Sequence, residues 1–256
     1  MNIRFLGAHN SESQTTSCAC ILIDDKLVLD AGGLTSNLSV ARQQKIKAIL
    51  ITHKHYDHIR DIPIIALNLY QKNTTLNLYT TADAQNAIET HLLNGKLYPK
   101  FQELPEAKPT VRFNLIDPYE TQRIADYEIL ALPMRHNGTT ISYQVSDTQG
   151  KTIFYTADTG PGLAGCWKYA SPQVLIIDVT VPNNDHEFAI NTGHLTPNLL
   201  HEELAIFQRQ KGYLPRIITV HMDATREQEI KNEITVVAKA LNTSITTAHE
   251  GMELDI

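Results

Sequence analysis

The chain has 256 residues, 42% of them hydrophobic, enough for a sizeable core at roughly 100–200 residues per domain, which excludes intrinsic disorder, collagen-like repeats and disulfide-stapled mini-proteins. Its 22 Lys and Arg against 28 Asp and Glu leave a net charge of −6, so a long nucleic acid would have to be held by a local basic patch against the overall charge. Three cysteines are too few for a disulfide framework, no run of about 20 apolar residues suggests a membrane span, and the opening MNIRFLGAHNSES lacks the apolar segment of a signal peptide, so a cytoplasmic protein with reduced core thiols is expected.

Short β-branched runs, each followed by polar or glycine-containing sequence, predict strands in chain order over Asn2–Leu6, Cys20–Ile23, Lys26–Leu29, Ala48–Ile51, Leu76–Tyr79, Val111–Leu115, Tyr127–Leu132, Thr140–Val145, Thr152–Thr156, Val174–Ile177, Arg216–Val220 and Ser244–Ala248. Between them lie helical signals. Asp83–Leu93 ends at Asn94-Gly95; Thr196-Pro197 reads as an N-cap and first helical residue, opening a helix over Asn198–Lys211 closed by Gly212. Ala224–Leu241 carries Ile230, Ile234, Val237 and Leu241 on one stripe. No linker, charge block or short repeat marks a boundary, which favours one α/β domain over residues 1–256. Lys96–Glu120, rich in Pro, Tyr, Phe and charge, has weak periodicity; a lid over a site, a contact between copies in a homodimer and a plain surface excursion are all open to it.

The chemistry concentrates after Ala48–Ile51, where the chain reads Thr52-His53-Lys54-His55-Tyr56-Asp57-His58. Four imidazole or carboxylate donors at the carboxyl end of a strand converge on a small volume, and they are ligand types that suit zinc, iron or manganese. An HxHxDH run of this kind resembles the metallo-β-lactamase superfamily. The likeness continues in order along the chain: Asp30 in LVLDAGG, His136 in PMRHNGTT, Asp158 in FYTADTGPG and His221 in ITVHMD each follow an apolar run.

That resemblance implies an α/β fold built as a four-layer αββα sandwich, the metallo-β-lactamase fold, and a dinuclear centre. His53, His55 and His136 would hold one divalent ion, and Asp57, His58 and His221 the other, with Asp158 bridging and Asp30 as a buttress. Zinc is the expected metal, with manganese or iron as alternatives, and attack by metal hydroxide the expected chemistry. His58 in the second histidine position favours hydrolysis over oxygen chemistry.

A further likeness narrows the class. Val174-Leu175-Ile176-Ile177-Asp178-Val179-Thr180 followed by Gly193-His194-Leu195-Thr196-Pro197 resembles the segment of ribonuclease Z-like phosphodiesterases in which an acidic residue partners a proton-donating histidine. The roles map onto Asp178, where the family usually has Glu, and His194; with Asp57 these form the expected catalytic set. The interval from His136 to Asp158 holds no more than a hairpin, whereas the tRNA-processing members carry a long RNA-gripping arm there. A small phosphodiester such as a cyclic nucleotide is therefore the expected substrate, by likeness to the class II cyclic-nucleotide phosphodiesterases. A lactonase or thioesterase of the same fold and a non-catalytic metal-binding sensor are the alternatives.

Among the other histidines, His91 and His201 fall in predicted helices and His186 in a polar loop, all three read as solvated, while His9 and His249 follow strands. From its loop His9 is a candidate for the substrate mouth. Trp167 and Tyr169 either stack on a substrate ring or anchor the Gly-rich turn after Asp158 to the core.

The missing arm and the net charge of −6 give a first prediction: small diesters are hydrolysed, while a precursor tRNA keeps its 3′ trailer at physiological salt. Gel analysis of a trailer-bearing transcript checks it, and efficient site-specific cleavage would refute it.

Overall fold

Continuous apolar runs such as Val174-Leu175-Ile176-Ile177 suit strands buried on both faces, and these runs become the central strands of two sheets. The computed structural model describes all residues, 1–256. Its strands are β1 (Asn2–Gly7), β2 (Cys20–Ile23), β3 (Leu27–Leu29), β4 (Ala48–Leu50), β5 (Leu76–Thr80), β6 (Val111–Leu115), β7 (Thr121–Ile124), β8 (Tyr127–Met134), β9 (Thr140–Ser146), β10 (Thr152–Tyr155), β11 (Val174–Asp178), β12 (Arg216–Val220), β13 (Ile245–Thr247) and β14 (Glu253–Asp255). The helices are α1 (Leu34–Asn37), α2 (Val40–Gln43), α3 (Tyr56–Ile59), α4 (Ile62–Tyr70), α5 (Ala82–Ala87), α6 (His186–Thr192), α7 (Pro197–Lys211) and α8 (Glu227–Ala240).

Two compact units emerge. The first comprises Met1–Gly7, Glu12–Asp117 and Glu250–Ile256, and the second Ala8–Ser11 and Pro118–His249. In the first unit the sheet order is β14-β1-β2-β3-β4-β5-β6, antiparallel from β14 to β3 and parallel from β3 to β6. In the second the order is β13-β12-β11-β10-β9-β8-β7, antiparallel from β7 to β10 and parallel from β10 to β13. Parallel neighbours need long crossovers, which is why the helices fall in the parallel half of each unit.

Each sheet buries apolar side chains against its helices. In the first unit Leu22, Val28, Ile49 and Ile51 meet Leu34, Ile62, Ile65 and Leu69; in the second Phe154, Leu175, Ile177 and Ile217 meet Leu200, Leu204, Phe207 and Ile230. Each such side chain contributes about 1.5–3 kcal/mol by leaving water. Helix α7 begins and ends as its residues dictate: Thr196 Oγ1 accepts from the Leu199 amide at 3.3 Å, Pro197 occupies the first turn, and Gly212 closes it in the left-handed conformation at φ 78°.

Every predicted strand is present, and two others join them. β7 (TQRI) is largely exposed and β14 is three residues long, so neither shows an apolar period that a sequence reading detects. The predicted helix Asp83–Leu93 is instead α5 running into a π-helical turn over Ile88–Leu92. α4 was hidden because IPIIALNLY is apolar nearly all round and so lacks a stripe. His186, expected in a loop, opens α6, with its side chain exposed as anticipated; His91 is exposed and His201 half-buried. No helix is long and apolar enough to cross a membrane.

Cys18, Cys20 and Cys166 are all free thiols. Cys18 and Cys20 are core residues as expected, while Cys166 is only half-buried. Burial pushes the thiols of Cys18 and Cys166 up to about 11, which keeps them protonated and unreactive near neutrality.

Trp167 settles as a core anchor. It is fully buried on the 3-10 turn Leu163–Lys168, edge-on to Phe154 at 5.9 Å and to Phe207 at 5.1 Å between ring centroids, while Tyr169 remains exposed. Trp167→Ala is expected to lower stability by about 3–5 kcal/mol, the usual cost of truncating a large buried aromatic, read as a shift in the urea unfolding midpoint.

Candidate metal centre

In the first unit the donors leave the carboxyl end of β4. Ile51 and Thr52 continue the strand direction, His55 caps α3 in an extended conformation, and the helix presents Asp57 and His58 in its single turn. Asp57 sits at the helix N-terminus, where the backbone amides favour negative charge. The rings of His53 and His55 lie 4.6 Å apart, and those of His53 and His58 4.2 Å. All four predicted donors of the motif are thus clustered.

Asp30 organises them. Fully buried and left-handed at φ 57° after β3, it accepts from the Thr52 amide at 2.9 Å and from the Thr52 hydroxyl at 3.0 Å. His58 Nδ1 lies 2.8 Å from Asp30 Oδ2, and His53 Nδ1 lies 3.0 Å from Thr52 Oγ1. A carboxylate carries no proton, so His58 must donate from Nδ1. The Thr52 hydroxyl gives its proton to Asp30, so His53 donates from Nδ1 as well. Both rings then present an Nε2 lone pair. The loop that carries Asp30 needs its glycine: a Cβ on Gly32 would lie 2.1 Å from the Asp57 carbonyl oxygen.

In the second unit the donors again follow strand ends. His136 comes after β8, Asp158 after β10 and His221 after β12. Ala157 at φ 56° and His221 at φ 67° are left-handed non-glycine residues, each costing about 1–3 kcal/mol, and strain of this kind persists where surrounding contacts hold it. The His221 amide donates to the Ala8 carbonyl at 2.6 Å. His136 Nδ1 donates to the Gly193 carbonyl at 3.0 Å, and burial, opposed by nearby Asp158, lowers the pKa of His136 and so favours the neutral ring. Asp158 Oδ2 lies 3.3 Å from His221 Nε2 and 3.7 Å from His136 Nε2.

These contacts test whether a metal fits. In the first unit His58 Nε2 faces Asp57 Oδ2 at 3.3 Å, and in the second His221 Nε2 and His136 Nε2 face Asp158. With Nδ1 of His58 on Asp30, of His136 on the Gly193 carbonyl and of His221 3.0 Å from Thr180 Oγ1, the Nε2 atoms and the facing carboxylates are electron-pair donors turned toward one another. Such groups converge stably around a cation, and the carbonyl and carboxylate partners behind the rings are the outer support that metal-binding histidines use. The donor set therefore suits a divalent ion in both units.

His194 and Asp178 meet as the resemblance implies. Asp178, fully buried at the end of β11, holds His194 Nδ1 at 2.9 Å, so the shorter aspartate still reaches the ring. The His194 ring lies 4.8 Å from His136 and 5.4 Å from His221, stacked on the latter at 17°. Three residues were missed by sequence reading. Thr52 and Thr180 bridge histidines to Asp30 and Asp178, and Gly193 supplies the carbonyl for His136. Only the position of Thr180, two residues after Asp178 and so on the same side of an extended chain, hints at its role. His9, the candidate for the substrate mouth, is almost wholly buried, bridged to Met222, with Nε2 3.6 Å from Glu227. His249 is exposed.

Comparison with known proteins accords with this geometry. Residues 26–222 match the family model described as a β-lactamase superfamily domain, and the chain belongs to that family. A 3′,5′-cyclic-nucleotide phosphodiesterase of Aliivibrio fischeri is 24% identical, over 73% of this chain and 68% of that protein. Unliganded yeast PDE1 superposes with a TM-score of 0.79 at 16% identity, covering 100% of this chain and 99% of that one. The metallo-β-lactamase fold protein YhfI of Bacillus subtilis gives 0.77 at 16% identity, covering 99% and 98%. The fold is therefore the α/β metallo-β-lactamase fold expected from the motifs.

Gly193 yields a second structural prediction. At φ 75° its added Cβ would lie 2.8 Å from both the Arg135 carbonyl oxygen and His136 Cα, whereas Gly212 at φ 78° has nothing within 4 Å. Gly193→Ala should reduce bound metal affinity about 10–100-fold by displacing His136, while Gly212→Ala, which carries the same backbone strain, leaves it unchanged; metal titration of both variants checks this.

Proposed function

We propose that residues 1–256 form one metal-dependent hydrolase domain that cleaves a small phosphodiester, such as a cyclic nucleotide, with two divalent ions, zinc in the first place and manganese or iron as alternatives. The protein is an enzyme, a hydrolase of the β-lactamase superfamily. In this reading His53, His55 and His136 hold one ion, Asp57, His58 and His221 the second, and Asp158 both. When bound, such a pair supplies a water of lowered pKa and neutralises charge on the phosphoryl oxygens.

The observation that carries the phosphodiester reading is the His194–Asp178 contact at 2.9 Å, beside the ligand histidines of the second unit. An alkoxide leaving a phosphodiester needs a proton as its bond breaks, and general acid catalysis supplies about 10²–10⁴-fold. His194 is held by its Nδ1 against the Asp178 carboxylate, so Nε2 is the position from which it gives that proton. A carbonyl ester gains less from such a donor. The name of the Aliivibrio fischeri relative supports the same substrate class.

His194→Ala separates the readings. It should retain metal and much of its rate on p-nitrophenyl diesters, whose leaving group needs no proton, and lose about 10²–10⁴-fold on alkyl or nucleoside diesters. Equal losses on both substrate classes, with metal content measured alongside, would give His194 a structural or metal-linked role and leave a lactonase or thioesterase as the better reading.

A further inference from the structure

Thr180 stands two residues beyond Asp178, almost fully buried, where its hydroxyl touches three other groups of the second unit. Oγ1 lies 2.5 Å from Asp178 Oδ1, 3.0 Å from His221 Nδ1 and 3.1 Å from His194 Nδ1. A hydroxyl has one proton and two lone pairs. The shortest contact is to a carboxylate, which can only accept, so the proton goes to Asp178 and both lone pairs face the rings. Each ring must then donate from Nδ1.

The two histidines do not depend on this hydroxyl equally. His194 Nδ1 lies 2.9 Å from Asp178 Oδ2, a charged acceptor in direct contact. His221 Nδ1 is 3.8 Å from Asp178 Oδ1, beyond hydrogen-bond distance, so the charge of Asp178 reaches it through Thr180. Asp178 itself has a second donor, the Thr159 amide at 3.2 Å from Oδ2.

We propose that Thr180 is a positioning residue whose hydroxyl fixes the Nδ1–H tautomer of His221, and so turns the His221 Nε2 lone pair toward Asp158 as the atom that would hold a divalent ion, while His194 is positioned by Asp178 directly. This rests on the metal-dependent reading above in so far as His221 is taken as a ligand. Sharing one carboxylate in this way couples the ligand and the proton donor through a single hydroxyl, yet loss of that hydroxyl falls chiefly on the ligand.

The test compares full-length wild type, Thr180→Val, which keeps the shape and removes the hydroxyl, and Thr180→Ser, which keeps the hydroxyl. Zinc and manganese affinities are measured by competition with a chromophoric chelator. Ring tautomers are read in metal-free protein from long-range ¹H–¹⁵N correlations. Rates on p-nitrophenyl and alkyl diesters give the leaving-group discrimination. The valine variant should bind metal about 10–100-fold more weakly, as outer-shell losses do, and show His221 released from the pure Nδ1–H form. Its leaving-group discrimination should match wild type, and serine should restore affinity and tautomer together.

Wild-type affinity and tautomer in the valine variant would overturn the proposal, as would a serine variant as impaired as valine, since that would mark a role in filling space. If valine prevents folding, Thr180→Ala against Thr180→Ser repeats the comparison with the hydroxyl as the difference. Wild-type protein that binds no divalent ion would overturn the hydrolase reading and the ligand part of this inference; the tautomer in metal-free protein still decides whether the hydroxyl orients the ring.

Discussion

A carboxylate taken wholly out of water costs several kcal/mol unless donors surround it, and among this protein's buried carboxylates Asp30 and Asp178, both at strand ends, have no exposed surface. Each is satisfied by the same combination: a backbone amide, a threonine hydroxyl and the Nδ1–H of a histidine. The compensation for burial is therefore also what aims the rings. Removing either carboxylate would leave imidazoles free to turn and a threonine proton without its charged acceptor.

The fold supplies the places where such groups can stand. In each unit the sheet passes from antiparallel to parallel pairing, at β3 in the first and β10 in the second, and Asp30 and Asp158 sit just beyond those two strands. The carboxyl ends of parallel strands leave loops free of the hydrogen-bonded ladder, and there the chain accepts conformations that a strand cannot. Asp30, Ala157 and His221 all have positive φ at these ends. The buried strands that precede them, β3, β10 and β12, hold the ends rigidly enough for that strain to persist.

Glycine does complementary work where two backbones meet. Gly32 lets the Asp30 loop lie against the carbonyl of Asp57, and Gly193 brings its own carbonyl to His136 with no room for a methyl group. At both positions close approach, and at Gly193 also the sign of φ, decides the residue.

How much of this was legible in the sequence depended on range. HxHxDH, the aspartates after LVL and FYT, and the histidines after PMR and ITV stood out as candidate donors because ligand chemistry restricts residue type, and strand ends are marked by apolar runs that stop. The predicted strands were readable in two ways: β2, β3, β4 and β11 because burial on both faces demands a continuous apolar run, and β5 and β8 because buried and less buried residues alternate along them. β7 and α4 were not, because one is too exposed and the other too uniformly apolar to show a period. The roles of Thr52, Thr180 and Gly193 were decided only by tertiary structure: a threonine is common at the end of a strand, and nothing in its neighbours tells that His194, sixteen residues from Asp178, and His221, forty-one from Thr180, will share its surroundings. Residue identity determined which atoms were available as ligands and acids; which nitrogen of each ring holds the proton followed from contacts between segments that folding alone brings within about 3 Å of each other.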